Sequence, residues 1–124
     1  MAAILISEPN FEIRELLARV IEAMACETAI SPAADADAVD LLLVEPGWPE
    51  GLALARRLRA ARPELPIVFL SIYPPQLESE LLSPTAYLVK PFSVAELQGV
   101  LRNALAAGAV AAGAASAPLS HQTQ

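Results

Sequence analysis

Two kinds of segment alternate along this chain: short uninterrupted apolar runs, and longer stretches in which apolar residues recur every three or four positions. Uninterrupted runs are typical of strands covered on both faces, and the longer period is typical of helices with one buried face. The predicted strands cover residues 3–7, 27–30, 40–45, 66–71 and 86–89. Because strands and helices alternate, the pattern predicts an α/β fold with a parallel sheet.

A helix is predicted after each strand. The predicted helices cover residues 11–24, 32–38, 49–62, 76–82 and the segment from residue 94 onward. Asn10 is expected to cap the first helix, and Ser93 with Glu96 forms a capping box before the last one. Glycine in a helix interior costs about 1 kcal/mol, so we expect the last helix to fray beyond Gly108, with a prolonged last helix as the alternative. The prediction is a domain at 1–106 and an Ala/Gly-rich tail at 107–124.

Length and charge narrow the classes of partner. A chain of 124 residues is long enough for one domain with a single core. The net charge of −6 repels phosphate and anionic lipid, so we expect neither nucleic acid nor a membrane as partner. The N-terminal apolar run is too short for a signal peptide, and no stretch reaches the ~20 strongly apolar residues of a membrane span. We therefore expect a cytoplasmic protein.

Soft metal ligands are scarce in this chain. Cys26 is the single cysteine and His121 the single histidine, which are too few for a zinc site or an intramolecular disulfide. Cys26 is expected to be a small buried apolar residue. The cluster of arginines between Arg56 and Arg62 is expected to be a solvated helix face.

Four polar residues stand where predicted strands end. Ligands of an open parallel sheet bind at the carboxyl ends of its strands. Glu8, Glu45, Ser71 and Lys90 all fall at such ends, so two acids, a hydroxyl and an ammonium can converge. Lys90 is the single lysine in a chain that otherwise uses arginine, which indicates a site that requires a compact point charge.

The segment Tyr87-Leu-Val-Lys-Pro-Phe-Ser93, followed by Val-Ala-Glu-Leu97, resembles the fifth strand and fifth helix of bacterial response regulator receiver domains, the CheY-like family. Further matches are the run at 4–6, the strand at 40–44 and the strand at 66–71. The resemblance extends over residues 2–106. It implies a flavodoxin-like three-layer α/β sandwich whose five-stranded parallel sheet has the order 2-1-3-4-5.

The resemblance also implies a chemistry. In the family, a histidine kinase transfers a phosphoryl group to an aspartate after the third strand, with magnesium held by that residue and by acids after the first strand. On the matched positions, Glu45 stands at the phosphoacceptor position and Glu8 in the acidic pocket. Ser71, Tyr87 and Lys90 stand at the phosphate-contact and switch positions, and Pro91 is a candidate for a cis peptide bond.

The first and third strands depart from that pattern. No aspartate stands at the acceptor position, because all three lie at residues 35–40. Pro9 follows Glu8 and supplies no carboxylate, so magnesium is expected to bind weakly or not at all, with Glu8 and Glu45 as weak candidate ligands. Glu45 is longer than aspartate by one methylene, which places its carboxylate where the incoming phosphorus must lie. We therefore expect no cofactor, no catalytic residue and no enzymatic turnover.

The interpretation that follows is a stand-alone pseudo-receiver that signals through protein–protein interaction, with a histidine kinase or another signalling protein as partner and a homodimer as a further option. The short helices predicted at 32–38 and 76–82 indicate a remodelled partner face. One alternative is a receiver that still accepts phosphate with magnesium. Another is a small flavodoxin-like enzyme or nucleotide binder, which the absence of a glycine-rich loop after the first strand disfavours.

Simpler interpretations of single residues stay open. Glu45 can be a solvated residue where a strand meets a loop, and Ser71 a strand-end cap. Tyr87 can pack in the core instead of switching. Trp48 can anchor a partner or shield the end of the sheet.

Overall fold

The fold is taken from a computed structural model, which describes residues 2–29 and 36–116. Its strands are β1 (Ala3–Ser7), β2 (Glu27–Ala29), β3 (Leu41–Val44), β4 (Ile67–Ser71) and β5 (Ala86–Val89). Its helices are α1 (Phe11–Ala23), α2 (Pro49–Ala61), α3 (Leu77–Glu80) and α4 (Val94–Ser116), with a single 3-10 turn at Ala36–Ala38. Within these residues, no helix is long and apolar enough to cross a membrane.

All strand pairings are parallel, and the strand order is β2-β1-β3-β4-β5. This confirms the predicted α/β fold class and its order. Ser7 pairs with Val44 at the end of β1 and β3, and Ser71 pairs with Val89 at the end of β4 and β5. The residues that follow these strands therefore leave the sheet along one edge.

The apolar runs form strands because helices cover both faces of the sheet. Alternate strand residues such as Ile4, Leu41 and Val68 pack with Leu17 of α1 and Leu101 of α4. The residues between them pack on the opposite face against α2. That second cluster contains Leu5, Leu42, Val44, Leu54, Ala55, Leu58, Ile67 and Phe69. Full burial of such a side chain contributes about 1.5–3 kcal/mol, so each strand is held by both layers.

Both predicted helix caps are present. The Asn10 side chain accepts a hydrogen bond from the Ile13 amide at 3.0 Å at the start of α1. At the start of α4, the Glu96 amide donates to Ser93 Oγ at 3.0 Å and the Ser93 amide donates to Glu96 Oε1 at 2.8 Å. The capping box therefore orients α4 directly after the end of β5.

The short helices differ from prediction. The helix expected at 76–82 is a single turn, Leu77–Glu80, in a segment flanked by Pro74, Pro75 and Pro84, which lack the amide that a helix interior requires. For the helix expected at 32–38, residues 30–35 lie outside the described residues, and Ala36–Ala38 forms only a 3-10 turn.

The expected fraying of the last helix beyond Gly108 is not observed, because α4 continues to Ser116, which corresponds to the alternative of a prolonged helix. A Cβ atom at Gly108 would overlap the ring of Pro66. The glycine is therefore explained by a close approach between α4 and the start of β4. Most other residues of this stretch are alanines, which have the highest helix propensity.

The arginine cluster is not simply a solvated face. The Arg59 guanidinium donates to the carbonyl oxygens of Pro63, Leu65, Leu82 and Ser83, at 2.7, 2.6, 2.9 and 3.3 Å. Burial lowers the pKa of this guanidinium and the nearby Glu64 carboxylate opposes that shift. Arg62 donates to the Val39 carbonyl oxygen at 2.6 Å, and its Nε lies 3.4 Å from Glu64. These arginines join α2 to three loops.

Candidate functional site

The Lys90 ammonium lies between two glutamates at the carboxyl edge of the sheet. Its Nζ is 2.9 Å from Glu8 Oε1 and 3.1 Å from Glu45 Oε1. Glu8 follows β1, Glu45 follows β3 and Lys90 follows β5, so three strand ends supply one ion-pair cluster. The side chains are only 4% exposed for Glu8 and 13% for Glu45 and Lys90. The cluster is therefore largely shielded from water.

The second oxygen of each carboxylate is also engaged. Glu8 Oε2 accepts a hydrogen bond from the Asn10 amide at 3.2 Å, and Glu45 Oε2 accepts one from the Gly47 amide at 2.9 Å. In both cases the donor lies two residues after the acid, in the loop that follows the strand. All four carboxylate oxygens therefore have partners within the chain, as buried charged groups require.

Main-chain hydrogen bonds fix the three strand ends. The Lys90 amide donates to the Ser71 carbonyl at 2.7 Å, and the Glu45 amide donates to the Ser7 carbonyl at 3.0 Å. Arg14 of α1 donates from Nη1 to the Glu8 carbonyl at 3.3 Å. The peptide bond between Lys90 and Pro91 is cis. The sheet therefore fixes the backbone positions of the residues that form the cluster.

Helix α2 packs tightly beneath the cluster. A Cβ atom at Gly51 would lie 2.9 Å from the Glu45 carbonyl oxygen, 3.0 Å from Val44 Cγ2 and 3.2 Å from Ser7 Oγ. Glycine is therefore required for this close approach. Trp48, the residue before α2, is half-buried and donates its amide to the Glu45 carbonyl at 3.3 Å.

Ser71 and Tyr87 belong to a neighbouring arrangement. The Ser71 hydroxyl accepts a hydrogen bond from the Tyr73 amide at 3.2 Å. The Tyr87 hydroxyl donates to the Tyr73 carbonyl at 3.0 Å, with Pro74 O at 3.4 Å. The Tyr87 ring also meets Phe69 edge-on, with centroids 5.9 Å apart. The structure thus brings Glu8, Glu45 and Lys90 together and joins Ser71 and Tyr87 to the loop after β4.

A cavity of about 410 Å³ opens beside the cluster. Ser71 and Tyr87 line it, together with Gly47, Leu52, Tyr73 and Glu78. It lies between the loop before α2 and the segment that carries α3. The sequence pattern gave no indication of this cavity, because its walls come from three separate segments with no shared motif.

No protein-family model matches the sequence, and no curated protein shows significant similarity to it. Solved structures do match. NtrX from Brucella abortus in complex with ADP superposes with a TM-score of 0.78 at 25% identity, over 93% of this chain and 29% of that one. The receiver domain of NtrX gives 0.69 at 26% identity, over 82% and 97% of the two chains. Chemotaxis protein CheY4 from Vibrio cholerae gives 0.71 at 20%, over 84% and 98%.

These neighbours are CheY-like response regulator receiver domains. The chain spans less than a third of the full NtrX chain, so what the two share is the receiver-domain fold. That fold is typical of two-component signalling proteins.

Magnesium, the ion that the receiver-domain resemblance implies, does not fit the residues present. The described residues contain no group of three or more His, Cys, Asp or Glu side chains placed to hold a metal ion. Magnesium requires near-octahedral oxygen coordination. Here the oxygens of Glu8 and Glu45 already accept hydrogen bonds, and the Lys90 ammonium lies between them.

The convergence of strand-end residues could be predicted from the sequence, but the partners of the second carboxylate oxygens could not. One sequence signal could have indicated these partners. It is an acid at a strand end with a non-proline residue two positions later, as in Glu45-Pro46-Gly47, because the amide of that residue can donate to the carboxylate. Such an amide is available only when the loop turns back, which the sequence pattern does not specify. Trp48 is half-buried, which fits both an anchor for a partner and a shield over the end of the sheet, so both roles stay predictions.

Proposed function

We propose that this chain is an atypical receiver domain that acts in two-component signalling through protein–protein interaction, independently of phosphorylation. The observation that carries the proposal is the double ion pair of Lys90 with Glu8 and Glu45. In a phosphorylated receiver, the matching lysine contacts the phosphoryl group. Here the same ammonium is occupied by two carboxylates of the chain itself.

Glu45 supports the absence of phosphotransfer. It stands at the position that the family resemblance assigns to the acceptor, and one extra methylene moves its carboxylate about 1.5 Å farther from the backbone. In-line attack on a phosphoryl donor depends on positioning. With Oε1 on Lys90 and Oε2 on the Gly47 amide, neither oxygen is free to attack without breaking a hydrogen bond.

The same contacts give the site a constant charge. Glu45 supplies one negative charge beside Lys90 where an acyl phosphate would supply nearly two, so it would mimic a phosphoryl group only in part. We propose that this charge, tied to three strand ends, holds one conformation of the adjacent loops at all times. A protein with such a site would be regulated by its abundance or by its partner, and not by phosphorylation.

The surface near the site supports a protein partner. Tyr73, Leu77 and Leu81 are exposed by 59%, 68% and 73%, on and beside the one-turn helix α3. Apolar side chains grouped on a surface are typical of interaction sites. The partner class that follows from the fold is a signalling protein, with a histidine kinase as one candidate.

The test is phosphorylation by a small-molecule donor. Incubation with acetyl phosphate and magnesium is expected to leave the intact mass unchanged. A phosphorylated receiver would instead gain about 80 Da, the mass of a phosphoryl group. A phosphorylatable receiver domain treated in parallel shows that the donor is active. A stable adduct mapped to Glu45 would overturn the proposal.

Magnesium binding gives a second measurement. Trp48 is half-buried next to Glu45, so its fluorescence reports on ion binding at the site. We expect no saturable change up to millimolar magnesium. Tight saturable quenching would indicate a receiver that retains its metal site, and would contradict phosphorylation-independent function.

A further inference from the structure

The cavity beside the ion-pair cluster is lined mainly by apolar and aromatic side chains, although the protein is acidic. These side chains belong to Leu52, Tyr73 and Tyr87. Polar groups come from Ser71 and from Gln76, whose amide donates to the Pro74 carbonyl at 3.1 Å. At about 410 Å³ the cavity falls within the volume range of ligand sites in proteins, and it is large enough for one long side chain.

Among the described residues that line the cavity, Glu78 is the only charged one. Its carboxylate makes no ion pair or hydrogen bond with any part of the chain that the structure describes. The single lysine of the protein is already held by Glu8 and Glu45. The cavity therefore has one unneutralised negative charge and no cation of its own.

The aromatic walls also lack a cation. Arg14 contacts the Phe11 ring at 5.6 Å from its centroid, but neither residue lines this cavity. Tyr73 is 59% exposed. The Tyr87 hydroxyl donates a hydrogen bond to the Tyr73 carbonyl oxygen, and both tyrosines line the cavity. Tyrosine faces attract guanidinium and ammonium groups.

We infer that this cavity binds an arginine side chain presented by a basic segment of a partner protein. The aliphatic stem would pack on Leu52 and the tyrosines, and the guanidinium would pair with Glu78. Arginine is favoured over lysine because its planar guanidinium stacks on aromatic rings and is more weakly hydrated. An anionic ligand is disfavoured because it would meet Glu78 and the nearby Glu45 carboxylate.

This inference rests on the proposed function and deepens it, because it states the chemistry of the partner that the interaction module recognises. It also predicts the sign of the charge on the partner's binding surface. A protein of net charge −6 that presents an acidic, aromatic cavity selects a basic partner surface.

The experiment is a titration of the isotope-labelled protein with N-acetyl-arginine methylamide, followed by the backbone amide NMR signals of Ser71, Tyr73, Ser79 and Tyr87. N-acetyl-norleucine methylamide tests the apolar stem alone, and N-acetyl-glutamate methylamide tests the opposite charge. We expect the arginine probe to shift these signals saturably at millimolar concentration. The norleucine probe is expected to bind at least about fivefold more weakly, as loss of one cation–π contact and one ion pair predicts.

Two variants of α3 provide the matched comparison. Glu78→Gln removes the charge in the cavity and is expected to weaken the arginine probe about fivefold. Glu80→Gln removes the same charge from the same one-turn helix, but Glu80 does not line the cavity, so its affinity is expected within about twofold of the parent. Both side chains are exposed, so both variants are expected to keep a dispersed native spectrum.

Each outcome decides the inference. Equal affinity for the arginine and norleucine probes, preference for the glutamate probe, or equal weakening by both variants would overturn it. Failure of the proposed function is separately visible, because a phosphoryl adduct on Glu45 would refute phosphorylation independence without altering the arginine titration.

Discussion

Glu8 and Glu45 share one counter-ion, since the Lys90 ammonium lies 2.9 Å from the first and 3.1 Å from the second. Two carboxylates drawn this close would repel each other strongly without the ammonium between them. Their second oxygens are held by the Asn10 and Gly47 amides. The three side chains therefore behave as one unit, and removal of one member affects the other two.

Lys90→Met tests that unit. It leaves two shielded carboxylates without a counter-ion, and we expect it to lower the free energy of unfolding by about 3 kcal/mol, as for other broken buried ion pairs. Urea denaturation followed by circular dichroism measures the change. The triple variant Glu8→Gln, Glu45→Gln, Lys90→Met removes all the charges together, and we expect it to be more stable than Lys90→Met alone. If the single variant is as stable as the parent, the cluster carries no structural charge coupling.

Restoring aspartates at the strand ends tests why magnesium does not fit. We expect the double variant Pro9→Asp, Glu45→Asp to bind magnesium at millimolar concentration. The first substitution adds a carboxylate at residue 9, and the second moves the carboxylate at residue 45 about 1.5 Å toward the backbone and away from Lys90. Quenching of Trp48 fluorescence is the measurement, and Glu50→Asp, on the exposed first turn of α2, is the control. No magnesium response in the double variant would mean that more than these two residues separates this site from a metal-binding receiver.

Gly51→Ala tests the close packing of α2 under the site. The added methyl group would lie within 3.2 Å of Glu45 O, Val44 Cγ2 and Ser7 Oγ. Overpacking of this kind costs about 1–3 kcal/mol, and we expect that loss in thermal or urea unfolding. Gly99→Ala is the matched control. It also lies inside a helix, but no atom lies within 4 Å of its added methyl group, so alanine there is expected to stabilise the protein by about 0.5–1 kcal/mol.

Arg59→Lys tests the guanidinium that joins α2 to the loops before β4 and β5. Lysine keeps the charge but cannot reach four carbonyl oxygens from one ammonium, so acceptors in two part-buried and two exposed hydrogen bonds compete for its donors. We expect a loss of about 1–3 kcal/mol in the free energy of unfolding. Arg56→Lys, on the exposed side of the same helix, is expected to change it by less than about 0.5 kcal/mol. Equal effects of the two substitutions would contradict a structural role for the Arg59 contacts.

The sheet could be predicted from the sequence because its strands are buried on both faces. A run such as Leu41–Val44 has no polar position, and that pattern is typical of a parallel strand covered on both faces. The convergence of Glu8, Glu45 and Lys90 followed from the same topology, because parallel strands end along one edge. Local rules were sufficient for the helix caps, such as the Asn10 cap of α1 and the capping box of Ser93 and Glu96.

Contacts that depend on packing between distant segments away from the strand ends were not predictable. Gly108 is a helix breaker by propensity, but its place against Pro66 depends on packing between residues 42 positions apart. Arg59 and Arg62 belong to a charged, polar pattern that usually faces solvent, yet their donors meet carbonyl groups of loops 23 positions away. The cavity between Leu52 and Tyr73 depends on the same kind of long-range placement.

The shielded position of Lys90 has a chemical consequence. It is the single lysine of the chain, and its side chain is 13% exposed with its amine held by two carboxylates. Acylating reagents must reach the amine nitrogen, so the folded protein offers them little access to its lysine. The rate at which an activated ester modifies Lys90 would then measure how often the strand ends separate, which makes this side chain a built-in reporter of local opening.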